Sequence, residues 1–337
     1  MRPKLKRSEL DGLAEFYSLD SRRTETMLEL AGAHPSRAEA IHFFANCLRI
    51  AGVLSLAAAL VFFVAANWSR IAVFGRFALV EIVLIACVAV AFARPPPAFI
   101  GRGATFLAFI ASGALLALFG QTYQTGADVY ELFLGWALLG LPLVVAAQWS
   151  VATAAWVLVL DTALVLFCGG HPTGGLIWLL LDGFHVRPAL LIMAAAWANL
   201  ALWFALEIRP IDAAPDWVRR LILSCAFGFG TWGGVLGVLG ERVEFETVGG
   251  DPATVFALAV AMAVVTVYAL RRRTDVYPLA VVMGTFIVVS LVWLARVAAF
   301  HDEGTFLFLA LWLIGTSTAA GKILTSLTRR WRAGTAG

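Results

Sequence analysis

The sequence predicts an all-α fold: a polytopic transmembrane helical bundle of about ten spans, with a short N-terminal cytoplasmic helical segment. Three observations carry that prediction. Of the 337 residues, 61% are hydrophobic and 14% charged, with a mean hydropathy of +0.86, which leaves too little polar surface to cover a soluble globule of this size. The apolar residues gather into ten runs, each approaching the roughly 17–25 residues that a helix needs to cross a hydrocarbon core. Basic residues alternate in density between successive connections, which is the sorting that insertion imposes.

Residues 1–46 read as a cytoplasmic helical leader. Leu10, Leu13, Phe16 and Tyr17 share one helical stripe, and Met27, Leu28, Leu30 and Ala31 form a second. The leader is basic from its start and holds no early apolar run, so no cleavable signal peptide fits, and the run from Cys47 is expected to act as an uncleaved signal-anchor. Pro35 should close the second helix. Ser36-Arg37-Ala38-Glu39 has capping-box spacing, so a new helix should begin at Arg37 and continue into the membrane.

The expected spans are 47–66, 71–93, 104–120, 132–149, 151–168, 188–206, 221–240, 252–270, 278–300 and 304–320, followed by a basic cytoplasmic tail at 321–337. Only Gln148-Trp149-Ser150 separates the fourth from the fifth. A single helix of that combined length would overshoot the bilayer, so a tight hairpin is expected there. The apolar stretch 174–181 is too short to span and should lie at the interface or re-enter.

With both termini cytoplasmic, twenty Lys and Arg residues fall on the inner side and four on the outer, with Arg296 inside the ninth span. Removing any one span scrambles that ratio. An even number of crossings, with both termini cytoplasmic, is the reading that follows. The net charge of +3 gives no argument for nucleic acid, and the lipid bilayer is the expected partner. Cys47, Cys87, Cys168 and Cys225 are dispersed along apolar runs without a C-x-x-C pair, which indicates neither a disulfide framework nor a zinc site.

Two carboxylates lie mid-span, Glu81 in the second and Asp161 in the fifth. An ionised group at the bilayer centre costs about 2.5–3.5 kcal/mol on insertion scales, so each needs a partner, water or a proton. They are the candidates for proton or cation handling, either by sharing a proton or by bonding to an amide such as Asn46 or Asn199. The competing reading is a neutral acid serving as interhelical glue. Arg296, one turn from the outer end of its span, should snorkel outward toward Asp302 and Glu303.

The polar connection from Phe119 to Glu131 holds Gln121, Tyr123, Gln124, Asp128 and Glu131 and no Lys or Arg. It is expected to form a glycine-hinged outer loop. In the seventh span Gly230, Gly233, Gly234 and Gly237 give overlapping G-x-x-x-G spacings, which let helix backbones approach closely in lipid. His171, His185 and His301 share the outer side without ligand spacing, so no metal site is assigned, and no cofactor is expected. Walker, dinucleotide, H-E-x-x-H and G-x-S-x-G motifs are absent from the sequence, so the common enzymatic readings lack support.

Ala65-Ala66-Asn67-Trp68, Gly120-Gln121-Thr122-Tyr123-Gln124 and the run from Leu132 to Pro142 resemble the bacterial predicted membrane proteins grouped as domain of unknown function 2157, over about residues 10–170. The resemblance implies an inner-membrane location and no particular activity. Two functions stay open: a permease-like protein that moves a small molecule or ion, and a non-transporting scaffold or sensor whose residues 1–46 bind a cytoplasmic protein.

Overall fold

Twelve helices account for nearly all of what the computed structural model describes, namely residues 7–30, 37–66, 71–123, 128–169, 189–208, 211, 214–240, 242–243, 246–247, 250–272, 275–298 and 303–334. The chain divides into two compact units, Met1–Ala72 and Val73–Gly337. Ten of the helices are long and apolar enough to cross a membrane, and the protein is a multi-pass membrane protein.

The first unit holds α1 (Arg7–Phe16), α2 (Ser21–Leu30) and α3 (Arg37–Ala66). Asp20 starts α2 by accepting the Arg23 N–H on Oδ1 at 2.8 Å, which satisfies one of the donors that a helix N-terminus leaves free. Helices α1 and α2 pack on one another, with Leu10 and Leu28 buried. Phe16 and Tyr17, expected on the same stripe as Leu10, are exposed instead and meet edge to face. Helix α3 begins at Arg37, where the capping spacing put it. Its 30 residues rise about 45 Å, longer than a hydrocarbon core of about 30 Å, so part of it projects beyond the lipid tails.

The second unit runs through α4 (Val73–Ala93), α5 (Phe99–Tyr123), α6 (Val129–Ala147), α7 (Ser150–Phe167), α8 (Ala189–Ile208), α9 (Asp216–Leu239), α10 (Pro252–Arg272), α11 (Tyr277–Ala298) and α12 (Glu303–Gly334). A two-residue antiparallel ribbon, β1 (Arg242–Val243) with β2 (Glu246–Thr247), follows α9 and is the sole non-helical pairing among the described residues. The tight hairpin between α6 and α7 is present. Gln148 turns the chain in the left-handed region at φ 46°, and Trp149 is buried edge-on against Phe99 and Phe106 of α5.

Helices α5 and α9 each start five residues before the expected spans, at Phe99 and Asp216, and two helix ends lie beyond theirs. Helix α5 continues through Gly120-Gln121-Thr122 to Tyr123, so Gly120 is a helical residue and not a hinge; a lone glycine costs a helix only about 1 kcal/mol. Helix α12 continues to Gly334, so most of the expected basic tail is helical. Alanine, lysine and leucine are strong helix formers and no proline interrupts them. The stretch 174–181 lies outside the described residues.

The core of the second unit is organised around α9, which packs against α7, α8, α10 and α11. One buried cluster joins Val218, Ile222 and Leu223 of α9 to Leu200 and Trp203 of α8 and Val265 of α10. Another joins Phe229 and Trp232 to Ile192, Met193 and Leu258. The glycine face makes this possible. A Cβ on Gly234 would stand 2.5 Å from Leu258 Cδ2, and one on Gly233 would stand 3.3 Å from the Ala189 carbonyl oxygen. In lipid, where exclusion from water does not drive helices together, such approach of small residues supplies the packing.

The α5–α6 pair uses tryptophan in the same way. Trp136 fills the notch at Gly113, and its Nε1–H donates to the Phe109 carbonyl at 2.9 Å. Trp156 Nε1–H of α7 donates to the Ala137 carbonyl of α6 at 2.8 Å. Each indole thereby packs its ring and satisfies its polar group.

Candidate functional site

The two mid-span carboxylates have opposite environments. Glu81 is exposed on α4, whose main packing partner is α5, and makes no hydrogen bond or ion pair with the described residues. Asp161 of α7 is 7% exposed. Its Oδ1 accepts a 2.8 Å hydrogen bond from Asn199 Nδ2 of α8, and that amide also reaches the Ala195 carbonyl at 3.3 Å. Asp161 Oδ2 is buried and has no hydrogen-bond partner among the described residues. The thiol of Cys225 on α9 also lies against the carboxylate as a weak donor.

The position of this pair follows from the helices. Asn199 is the eleventh residue of α8 and stands at mid-helix, while Asp161 is the twelfth of the 18 residues of α7, about 16 Å from its N-terminal end and about 9 Å from its C-terminal end at 1.5 Å per residue. Both helices pack on α9, and the Asp–Asn bond joins them through their side chains; Ala163 of α7 and Ala195 and Ala196 of α8 are buried close by along the same helices. Either protonation state is incompletely served. An ionised carboxylate has one amide donor and one weak thiol in apolar surroundings, and a neutral one has an O–H without a strong acceptor. That is the chemistry of a group that takes up a proton or a small cation when one reaches it.

Of the residues expected in an outer loop, Gln121 and Tyr123 belong to the last turn of α5, while Asp128 and Glu131 lie at the start of α6. Gln121, Asp128 and Glu131 are exposed. Tyr123 packs on Phe119 and Phe77. Gln124 lies outside the described residues, as do His171, His185 and His301. Among the described residues no group of three His, Cys, Asp or Glu is placed to hold a metal. Arg296 does not need an acidic partner: it donates to the Val238 carbonyl at the end of α9, one of the oxygens that a helix C-terminus leaves free. Gly230, Gly234 and Gly237 face α10, and Gly233 faces α8.

A second polar site was not legible in the sequence as a site. At one end of the second unit the C-termini of α8 and α10 meet the N-termini of α9 and α11 around a cavity of about 230 Å³. Arg219 Nε stands 3.0 Å from Glu207 Oε1, and the same guanidinium pairs with Asp216. Arg220 pairs with Asp275 at 3.0 Å and lies over the Tyr277 ring. Tyr268 donates its hydroxyl to Glu207 Oε2 at 2.9 Å, with Arg272 over its ring. The arginines had been counted only as inner-side charge. Their nearness to Glu207, Asp216 and Asp275 around two short connections was the available signal.

The geometry can be set beside known proteins. Residues 17–153 match the family described as Predicted membrane protein (DUF2157). The match covers less than half of the chain, from the end of α1 to the first turn of α7. Asp161, Asn199 and the arginine–carboxylate cavity all lie beyond it. No curated protein and no solved structure matches the chain.

Proposed function

We propose that this is a permease-like protein of the bacterial inner membrane, with both termini cytoplasmic, in which Asp161 is the group that binds a proton or small cation. The observation that carries the reading is Asp161 Oδ2, buried within α7 with no hydrogen-bond partner among the described residues. Asn199 orients the carboxylate by holding Oδ1, and α9 brings the Cys225 thiol against it. Glu81 has no part in this step, since it stands exposed on α4. The orientation is supported by the twenty-to-four distribution of basic residues. Reporter fusions that put Asp128 and Arg272 in one compartment would overturn it.

The test is proton flux into proteoliposomes loaded with a pH-sensitive dye under an imposed potential. Asp161→Asn, which keeps the shape and loses the titrating group, should abolish protein-dependent flux while leaving helical content unchanged. Glu81→Gln should leave flux intact. Flux undiminished in Asp161→Asn refutes the proposal.

One observation favours a second reading, a scaffold or sensor. The exposed Phe16–Tyr17 pair on the α1–α2 hairpin is an aromatic surface of the kind that anchors protein partners. If Phe16→Ser with Tyr17→Ser abolishes a co-purifying cytoplasmic protein and wild-type proteoliposomes carry no flux, the scaffold reading replaces the permease one.

A further inference from the structure

The arginine–carboxylate cavity continues into an apolar groove of about 580 Å³ lined by Phe204 of α8 and by Ala263, Val264, Val267, Tyr268, Arg271 and Arg272 of α10. Tyr268 and Arg272 line both spaces. Charge divides unevenly between them. In the cavity, Arg219 and Arg220 are already paired with Glu207, Asp216 and Asp275. Arg271 and Arg272, at the mouth of the groove, have no carboxylate partner among the described residues. From Arg272 the groove descends to Ala263, about 14 Å along the helix at 1.5 Å per residue.

We propose that this composite site holds an anionic phospholipid. The phosphate sits between the Arg271 and Arg272 guanidiniums, one acyl chain lies along Phe204, Val264 and Val267, and the remainder of the headgroup enters the cavity. Three features select this occupant. Two uncompensated guanidiniums at a helix end favour a phosphate over a neutral or cationic group. An apolar wall running directly away from them fits a chain covalently attached to that phosphate and gives a free phosphate nothing to use. Glu207 and Asp275 line the cavity with each carboxylate oxygen already taking one protein donor; each oxygen keeps a second lone pair that a headgroup hydroxyl can use, which favours a polyol headgroup. The site is independent of Asp161, so it stands or falls apart from the permease reading.

The test uses the full-length protein, delipidated in detergent, with retained lipid counted by native mass spectrometry. The probes are dioleoyl phosphatidylglycerol and dioleoyl phosphatidylcholine at equal concentration. Phosphatidylglycerol should be retained at least about tenfold over phosphatidylcholine, from the attraction of two basic side chains. That preference should shrink between about 50 mM and about 500 mM salt as the charges are screened. Arg271→Gln with Arg272→Gln should erase the preference, and Val264→Trp, which fills the groove, should lower retention of both lipids. Equal retention of the two lipids by the wild type overturns the proposal, as does a preference indifferent to salt. Displacement of phosphatidylglycerol by an equal concentration of inorganic phosphate also overturns it, since the groove would then contribute nothing. The wild-type salt series decides the matter even if the double variant fails to fold.

Discussion

Replacing Gly234 by alanine tests whether α9 is the packing centre of the second unit. The Leu258 side chain of α10 is gripped by two glycines: a Cβ on Gly230 would stand 3.1 Å from Cδ1, and one on Gly234 would stand 2.5 Å from Cδ2. Carbon atoms rest at about 3.5–4.0 Å, so Gly234→Ala requires Leu258 to retreat by about 1 Å within a cluster that also holds Phe229 and Trp232. Overpacking of this kind costs about 1–3 kcal/mol, offset by at most about 1 kcal/mol of improved helix propensity. Gly228→Ala is the control on the same helix, since it is exposed and a Cβ there meets nothing within 4 Å. It gains the propensity without the clash. The two variants should therefore separate by about 1–3 kcal/mol, read as a lower melting temperature for Gly234→Ala in detergent. Leu258→Ala alone should cost about 2–5 kcal/mol as a cavity mutation, and adding Gly234→Ala to it should restore part of that loss. Equal melting temperatures for Gly228→Ala and Gly234→Ala, or strict additivity in the pair with Leu258→Ala, would refute the packing argument.

Other outcomes follow from single contacts. Asn199→Leu removes the donor to Asp161 Oδ1 and should destabilise the protein by about 1–3 kcal/mol; Asp161→Asn made in that background should recover part of it, measured by thermal unfolding in detergent. Tyr268→Phe deletes the 2.9 Å bond to Glu207 and should cost about 1 kcal/mol by the same assay. Asp251 precedes α10, where its carboxylate accepts from the Thr254 hydroxyl at 2.5 Å and the Ala253 N–H at 3.0 Å. The Thr254 bond is the main cause that holds its carboxyl below the usual value of 3.8. Because the folded value is the lower one, its contribution is present in full above the unfolded pKa and disappears as pH falls through the folded one. Thr254→Val should flatten that acid limb of a melting-temperature profile without altering the profile near neutrality in shape.

Much of the fold was written in the chain as punctuation. The start of α3 follows from the spacing of Ser36 and Glu39, and the α6–α7 hairpin from the impossibility of one helix spanning both runs. Glycine misled where it was read as a hinge: Gly120 sits inside α5 because flanking residues outweigh one weak helix former. The G-x-x-x-G residues of α9 were recognisable, but the identity of their neighbours on α8 and α10 was not.

Composition and charge sorting alone established that the protein crosses a membrane with about ten helices, because bilayer thickness sets helix length and insertion sorts lysine and arginine. Which carboxylate is enclosed was decided only by the tertiary structure. Lipid tails are as apolar as a bundle interior, so a spanning helix can be hydrophobic on every face and still have one face inside; nothing along α4 or α7 marks Glu81 as exposed or Asp161 as buried. The arginine–carboxylate cavity likewise exists only once four helix ends converge, joining Glu207 to Tyr268 across 61 positions of sequence, a distance over which no local pattern carries information.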